Sequence, residues 1–455
     1  MVVLSTHLKQ LKEQSIIVPF LESIRRPHEA LINIHQTHGD LVLASFFGKK
    51  ILCVCHPDYI EEIFIQEAKG LLNRDFLYEA KRSFFADSLF NSKADTWVKQ
   101  RRIMQHLFTK EAVSQWQAIF KSEAETTRER LKATVPAEIN LSYEIKRLVQ
   151  RIVIKALMGR SADTIPNSEE MIRTVETISQ NLLPQLVTQI ISGGKLMWLM
   201  PIKKRRYEAA VAKLADFVSQ EIVQKRGNLG HDLISQMMQA TDSKSGYTMT
   251  QALLHDEAVN LFFAGQDTTI NTLAWFFYLL GKHEDVHKQV TAEIIKFKDD
   301  ALTPSNLEKL IVTKAALNET LRLYPPSGGI TTQAVDDIFV GGYNIRKGTT
   351  IILSLYVTHR HAEFWERPNE FYPEHFLNSQ ANVGRSKYAF FPFGSGLHNC
   401  LGRHFAELEM MSVIVTLLRE FAFKTDADIN EAISVTLKPA RDLVMSITPL
   451  CQIHQ

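Results

Sequence analysis

A cysteine that binds a metal or attacks a carbon must first become a thiolate, and one stretch of this chain provides for that. Cys400 closes the run Phe393-Gly394-Ser395-Gly396-Leu397-His398-Asn399-Cys400-Leu401-Gly402, and a helical pattern follows at once. A helix N-terminus offers unpaired N–H groups and partial positive charge, which stabilise a thiolate. The glycines let backbone amides come close to the sulfur, where they can tune a metal-bound thiolate. A buried structural cysteine after a turn is the plainer alternative. A second polar group, Gln266-Asp267-Thr268-Thr269 with Asn271 and Thr272, interrupts the apolar run 257–282. A third is Glu319 with Arg322, three apart and so on one helix face among Ala315, Ala316, Leu317, Leu321 and Leu323. A buried pair of that kind needs further partners to offset desolvation. Cys53-x-Cys55-His56 also has metal-binding residue types. Alternate strand residues point one way and no second pair of ligands follows, so these read as core packing.

The elements that must position these groups follow from punctuation and periodicity. Residues 40–56 read as a hairpin, with two β-rich runs around Gly48-Lys49-Lys50. From about 93 to 300 the periodicity is helical, with few prolines. The run 257–282 would span about 39 Å, and its polar centre favours a helix buried in a soluble core over a membrane span. Residues 304–324 are helical again, opened by a Ser305-x-x-Glu308 capping box and stopped by Pro325-Pro326. Residues 328–358 read as strands, with turns at Gly341-Gly342 and Lys347-Gly348. Residues 366–399 have little periodicity, and so long an irregular stretch in a compact chain is usually functional. Residues 401–420 form the last strong helix. The pattern predicts one mainly α domain over 1–455. Its β-rich part covers about 30–60, 328–358 and 430–450, and its helical part about 93–324 and 401–420.

Composition narrows the function classes. The chain has 455 residues, 45% hydrophobic and 22% charged, which excludes a disordered or collagenous protein. Lys and Arg number 52 against 50 Asp and Glu, a net charge of +2, so no nucleic-acid partner is indicated. Four cysteines exclude a disulfide scaffold and suit a reducing cytosol. Residues 1–27 carry only short apolar patches broken by charge, so neither a signal peptide nor a transmembrane segment is expected. A soluble cytoplasmic protein, monomeric, is the expectation. Lys203-Lys204-Arg205-Arg206, after the apolar run 195–201, reads as a solvated helix start rather than a membrane contact.

Four motifs in order resemble the cytochrome P-450 family. Phe393, Gly396, Cys400 and Gly402 resemble its haem-binding signature, and Ala264-Gly265-Gln266-Asp267-Thr268-Thr269 its A-G-x-[DE]-T-T segment. Glu319-Thr320-Leu321-Arg322 resembles E-x-x-R, and Trp97-Val98-Lys99-Gln100-Arg101 resembles W-x-x-x-R. The resemblance implies a fold holding haem b between the long central helix and the helix after the cysteine. Cys400 would then be the axial thiolate, which pushes electron density toward O–O cleavage. Asp267 and Thr268 would relay protons on the oxygen side, since a hydroxyl beside a carboxyl can hold water. Gly265 leaves space there, and Thr268 bonding a carbonyl one turn back suggests a local opening of the helix.

The same resemblance places Trp97, Arg101 and His398 at the haem propionates. Two departures stand out. The family's P-E-R-F arginine is His375 here, which weakens the third arm of the Glu319–Arg322 network or makes it pH-sensitive. A further propionate arginine is Thr332 here, so that contact is missing or substituted. The implied activity is insertion of one atom of O₂ into a C–H or C=C bond of a lipophilic fatty acid, terpenoid or polyketide intermediate. Electrons would come from a separate ferredoxin- or flavodoxin-type donor and its NAD(P)H reductase, docking on Lys93, Lys99, Arg102, Lys110 and Arg403. A peroxide-using haem-thiolate enzyme and a non-catalytic haem or ligand-binding protein are the alternatives. The pocket would be lined by residues such as Phe84, Phe85, Leu89, Phe90, Leu182 and Leu183, with Ile190 and Ile191 further along.

Overall fold

The turn and stop residues of the sequence sit at element ends in the computed structural model, which describes residues 11, 14–15, 27–46, 49–192, 201–225, 227–296, 303–377 and 384–450. The apolar run 195–200 and nearly all of segment 1–26 therefore lie outside the described residues. Contacts divide the chain into two units, residues 1–76 with 321–400 and residues 77–320 with 401–455.

The first unit is built on a mixed sheet. Helix α1 (Pro27–His38) leads into β1 (Leu41–Phe46) and β2 (Lys49–Val54), an antiparallel hairpin pairing Leu41 with Val54 and Phe46 with Lys49. Lys49 and Lys50 thus belong to the strand, and residues 47 and 48 lie outside the described residues. β3 (Ile330–Ala334) pairs antiparallel with β4 (Thr350–Leu353), which runs parallel to β2. Strands Ile338–Val340 and Tyr343–Ile345 fold back on each other across Gly341-Gly342. Leu52, Ile60, Phe64, Val340, Ile351 and Leu353 form the apolar core beneath the sheet. The stretch 366–399 has only the short helix Glu374–Leu377 and a turn of 3-10 helix at Lys387–Ala389 among its described residues.

The second unit is mainly helical. Its elements include α2 (Ala94–Gln105), α3 (Leu141–Met158), α4 (Glu170–Ser192) and α5 (Gln251–Lys282). Helix α6 (Ile311–Leu323) belongs to this unit through Thr320 and to the first from Leu321, and α7 (Arg403–Leu418) follows the cysteine. Helix α5 begins six residues before the apolar run. Thr250 caps it by accepting from the Leu253 amide, and Phe262, Trp275, Phe276 and Phe277 are fully buried on it. Among the described residues no helix is long and apolar enough to cross a membrane. The expected 430–450 strands are present as Glu431–Ile433, Leu437–Pro439 and Val444–Pro449, and they belong to this unit.

The expected capping box at Ser305 is displaced. Thr303 is the cap, accepting from the Asn306 amide, and the helix it opens stops at Leu307 before α6 starts at Ile311. Pro304 explains the shift. It lacks an N–H and its fixed φ suits the first helical position, so the capping role falls one residue before it.

Candidate active site

The cysteine loop is held by its own backbone. The Cys400 amide donates to the Phe393 carbonyl at 2.8 Å, and the Gly394 amide to the Phe391 carbonyl at 2.8 Å. Gly394 and Gly396 both have φ of +70°, the left-handed region that favours glycine. A Cβ at Gly396 would come within 2.7 Å of Glu67 Oε2 and 2.8 Å of the Phe64 ring, so that position is also sterically closed. Cys400 itself is exposed. Helix α7 starts three residues later with Gly402 as its cap, so the cysteine stands just ahead of the helix rather than at its first residue.

A short chain of ionic groups lies near this loop in the same unit. His398 Nδ1 is 3.0 Å from Glu67 Oε1, and Arg74 reaches the same oxygen at 3.3 Å. Thr332, where an arginine was looked for, donates its hydroxyl to the Asn73 carbonyl at 2.9 Å. The next residue is Arg74, whose Nε is buried without a hydrogen-bond partner among the described residues. Leaving a guanidinium N–H buried and unpaired is costly. That orphaned donor, with His398 and an exposed thiol, is a donor set that fits an iron porphyrin carrying propionates. Arg74 was not legible as a site residue, because a lone arginine after a two-residue strand carries no sequence signal.

In the second unit Trp97 and Arg101 both sit half-buried on α2, four residues apart. On α5, helical geometry is unbroken through 262–270, so the expected local opening is not present. Side-chain bonds to carbonyls one turn back accumulate instead. Gln266 donates to Phe262, Thr268 to Ala264 and Thr272 to Thr268, at 2.9 Å each, and Asn271 donates to Asp267 at 2.8 Å. Ala264 is exposed between buried neighbours Phe263 and Gln266. A Cβ on Gly265 would meet only Val153, at 3.4 Å, so protein packing does not demand glycine there.

Asp267 turns away from Thr268 into a polar cavity of about 180 Å³, lined by Lys146, Glu176, Ser179, Asn271, Lys438 and Asp442 among others. Its Oδ2 accepts from the Thr436 hydroxyl at 2.6 Å. Burial pushes its carboxyl above the usual range, and the Thr436 hydrogen bond opposes that. Lys146 pairs with Glu176 and, at 3.3 Å, with Asp442. Two further buried carboxyls escaped the sequence reading. Glu409 on α7 is fully buried and pushed well above the ordinary range by desolvation, with Thr269 opposing. Glu257 on α5 accepts from the Leu89 amide at 2.8 Å, and burial pushes it up to about 8. The available signal was a single acid inside an apolar helical run, such as Glu409 before Met410-Met411.

Glu319 and Arg322 are both fully buried on α6. Arg322 donates to the carbonyls of His359 and Pro368 at 2.7 Å and of Glu370 at 3.0 Å, and lies 4.9 Å from the Trp365 ring. His375 is buried edge-on to Trp365 at 5.2 Å, its ring bonded to the Glu366 carbonyl. A cation absent from the expected pattern, Arg385, covers Trp365 at 4.0 Å and donates to the His375 carbonyl at 3.3 Å.

The surface cations are less available than the sequence suggests. Arg102 pairs with buried Asp242 at 3.1 Å, Lys110 with Glu308 and Arg403 with Glu407 at 3.0 Å. Lys93 and Lys99 lie over the rings of Tyr78 and Tyr247. Lys203 to Arg206 are exposed in the first turns of helix Pro201–Lys225, as a solvated start requires. His56 caps helix Pro57–Ala68 by accepting from Asp58. Of the expected pocket residues, Phe84 lies edge-on to Phe85 and to Phe263 of α5 at 4.8 Å, and Phe85 lies 4.4 Å from exposed Phe90. The side chains of Ile190 and Ile191 lie outside the described residues.

Residues 14–447 match the family model described as Cytochrome P450. Similar proteins include Cyclooctat-9-en-7-ol 5-monooxygenase of Streptomyces melanosporofaciens, 28% identical over 400 residues that cover 86% of this chain and 84% of that protein. Pentalenene oxygenase of Streptomyces avermitilis is 26% identical over 436 residues, 94% of each chain. The solved heme domain of cytochrome P450DA superposes with a TM-score of 0.85 over 97% of this chain and 98% of that one, at 22% identity. At that identity the likeness concerns the fold.

Glu257 generates a pH prediction. Its folded pKa of about 8 lies above the ordinary 4.5, so between these values the unfolded chain ionises first. Its contribution is fully present below about pH 4.5 and lost by about pH 8, at up to about 1.4 kcal/mol per pH unit. Asp267 and Glu409 shift in the same direction, so the comparison must isolate Glu257. Urea midpoints at pH 5 and pH 8.5 should fall less in Glu257→Gln than in the parent. An equal fall in both would show that Glu257 is ionised in the native state.

Proposed function

The chain belongs to the cytochrome P450 family and is a haem-thiolate monooxygenase, and from that premise we propose that Cys400 holds the haem iron and that the substrate is a cyclic terpenoid. Bound haem supplies the activation of dioxygen and the transfer of one oxygen atom to the substrate. What the chain contributes is binding, orientation and protons. The Cys400 backbone amide is already engaged by Phe393, and the left-handed glycines fix the loop that presents the sulfur. Gly396, Phe393 and the unpaired N–H of Arg74 support haem at this loop. Arg74, His398, Arg101 and Trp97 are the donors we assign to the propionates, because a buried carboxylate needs charge-assisted partners. The two units are proposed to make one catalytic domain.

The observation that carries the proton assignment is the cavity behind Asp267. Waters there, with Lys146, Glu176 and Asp442 around them, supply protons to the Asp267 carboxyl, whose proton affinity burial raises. From Asp267 the proton passes to water held at Thr268 Oγ1. A group whose pKa is raised toward working pH is suited to that transfer. Glu319, Arg322, His375 and Arg385 hold the segment preceding the cysteine loop and touch no reacting atom in this assignment.

The terpenoid reading rests on the activities named for the similar proteins and on the aromatic wall of Phe84, Phe85, Phe90 and Phe263, next to exposed Ala264. Rigid apolar rings suit a compact hydrocarbon. For electron supply we propose an acidic ferredoxin- or flavodoxin-type donor meeting Lys93 and Lys99, since the other cations expected there are paired. A screen of cyclic terpenes and fatty acids, read as the substrate-induced shift of the haem Soret band, tests the substrate class. Saturation by cyclic terpenes at lower concentration than by any fatty acid is expected, and the reverse order would reject the reading.

Two substitutions test the site. The ferrous–CO complex should show the red-shifted Soret band of a thiolate-ligated haem, and Cys400→Ala should lose it while Cys53→Ser keeps it. A band like that of a histidine-ligated haem in the parent would reject Cys400. Thr268→Ala should consume NAD(P)H at a rate within a few-fold of the parent but release much of the reduced oxygen as hydrogen peroxide. An unchanged ratio of product to reductant consumed would remove Thr268 from the proton path.

A further inference from the structure

Far along the chain from the cysteine motif, the first unit gathers four metal-binding side chains. Helix α1 ends in a turn where the Gly39 amide donates to the His35 carbonyl at 2.8 Å, and Gly39 takes φ of +92°. That left-handed residue stops the helix and turns the chain into β1, with Asp40 at the corner. Cys55 lies just past the end of the facing strand β2, and its amide donates to the Asp40 carbonyl at 3.1 Å. The Thr358 hydroxyl donates to the Cys55 carbonyl at 2.8 Å, and the His361 amide to the Thr358 carbonyl at 3.2 Å. The backbone therefore fixes all four residues at one point before their side chains interact.

The side chains converge there. Cys55 Sγ is 3.1 Å from His35 Nδ1 and 3.6 Å from Asp40 Oδ1. His35 Nδ1 is 2.9 Å from Asp40 Oδ1, and His361 Nε2 is 3.1 Å from that oxygen. Zinc with ligands at about 2.0–2.3 Å separates the donors of a tetrahedron by about 3.3–3.7 Å. The observed triangle is within a few tenths of an ångström of one face of it. A cavity of about 10 Å³, close to the room one water needs, is lined by His35, Cys55 and Gly39 among apolar neighbours. One sulfur, one imidazole and one carboxylate match the N/S/O preferences of zinc, and their thiolate and carboxylate charges balance a divalent cation.

We propose that His35, Asp40 and Cys55 bind one zinc ion, with His361 holding the Asp40 carboxylate in place and water completing the tetrahedron. Binding displaces the Cys55 thiol proton to solvent, so no redox change is involved. The residues tie the end of α1 to the hairpin and to the segment 354–361, so the ion acts as a structural clasp within this unit. Cys53, two residues earlier on β2, is only half-buried and is assigned no part. The sequence pattern reads Cys55 as core packing, because its partners lie 20, 15 and 306 positions away and no spaced pair of ligands is visible.

The holoenzyme decides this. Protein treated with EDTA and exchanged into chelator-free buffer is titrated calorimetrically with zinc chloride, and the loaded protein is measured by X-ray absorption at the zinc edge, where haem iron does not contribute. One equivalent of zinc is expected, with a single sulfur at about 2.3 Å and nitrogen or oxygen at about 2.0–2.2 Å. Cys55→Ser should remove the sulfur shell, and His361→Gln should weaken binding by about 10–100-fold. Cys53→Ser should leave affinity and shell unchanged. The absorption spectrum of the parent settles the ligand set even if a variant fails to fold. Less than one equivalent, a shell without sulfur, or loss of binding in Cys53→Ser would leave these residues as a hydrogen-bonded network only.

Discussion

A carboxyl buried in an apolar core must either stay protonated or be met by enough donors, and the second unit carries several such groups, three of them pushed upward by burial. Glu257 and Asp267 lie on α5, and Glu409 lies on α7. Glu257 meets one backbone amide, Glu409 one hydroxyl, and Asp267 two hydroxyls with the charge of Lys438, yet burial is the largest influence on each. A neutral carboxyl is a proton donor at working pH, whereas a salt-bridged one is not. Gln266, Thr268, Asn271 and Thr272 bond back to carbonyls of the same helix, whereas Asp267 turns its carboxyl toward the polar cavity and Thr436. The helix is thus both the apolar centre of its unit and the carrier of two carboxyls whose proton affinity burial raises.

The first unit meets a different constraint, which is where to put cations. Arg322 is taken fully out of water and compensated by three carbonyls and an aromatic face, the kind of compensation that a buried guanidinium requires. Arg385 shares Trp365 with it, so the position left by His375 is not without positive charge nearby. Arg74 is the contrast. Among the described residues it has one carboxylate partner and one buried N–H with none, and an acidic group of a ligand would complete it.

The hairpin end shows how such groups are brought together without any local motif. His35 lies in the last turn of α1, Asp40 at the corner after it, Cys55 just past the end of β2, and His361 three residues beyond the short helix Leu355–Thr358. Chain ends are where backbone groups need partners, and the bonds among Gly39, Asp40, Cys55 and Thr358 satisfy them. Side-chain convergence follows from that backbone arrangement.

By itself the sequence determined the parts whose signal is local. The order Trp97, Thr268, Glu319–Arg322, Cys400 identified the family, and apolar periodicity located α5 and α7, because periodic burial and short motifs are properties of neighbouring residues. Glycine and proline likewise marked the turns at 341–342 and 347–348 and the end of α6. Tertiary structure decided whatever depends on residues far apart in the chain. It moved the helix cap from Ser305 to Thr303, kept α5 intact at Thr268, turned Asp267 toward Thr436, and neutralised Arg102, Lys110 and Arg403 with carboxylates. It also joined Arg74 to Glu67 and His398, and Cys55 to His35, Asp40 and His361. The reason is physical: the free energy of a buried charge or an unpaired donor is set by what the fold places within about 3–4 Å of it, and spacing along the chain does not encode that distance.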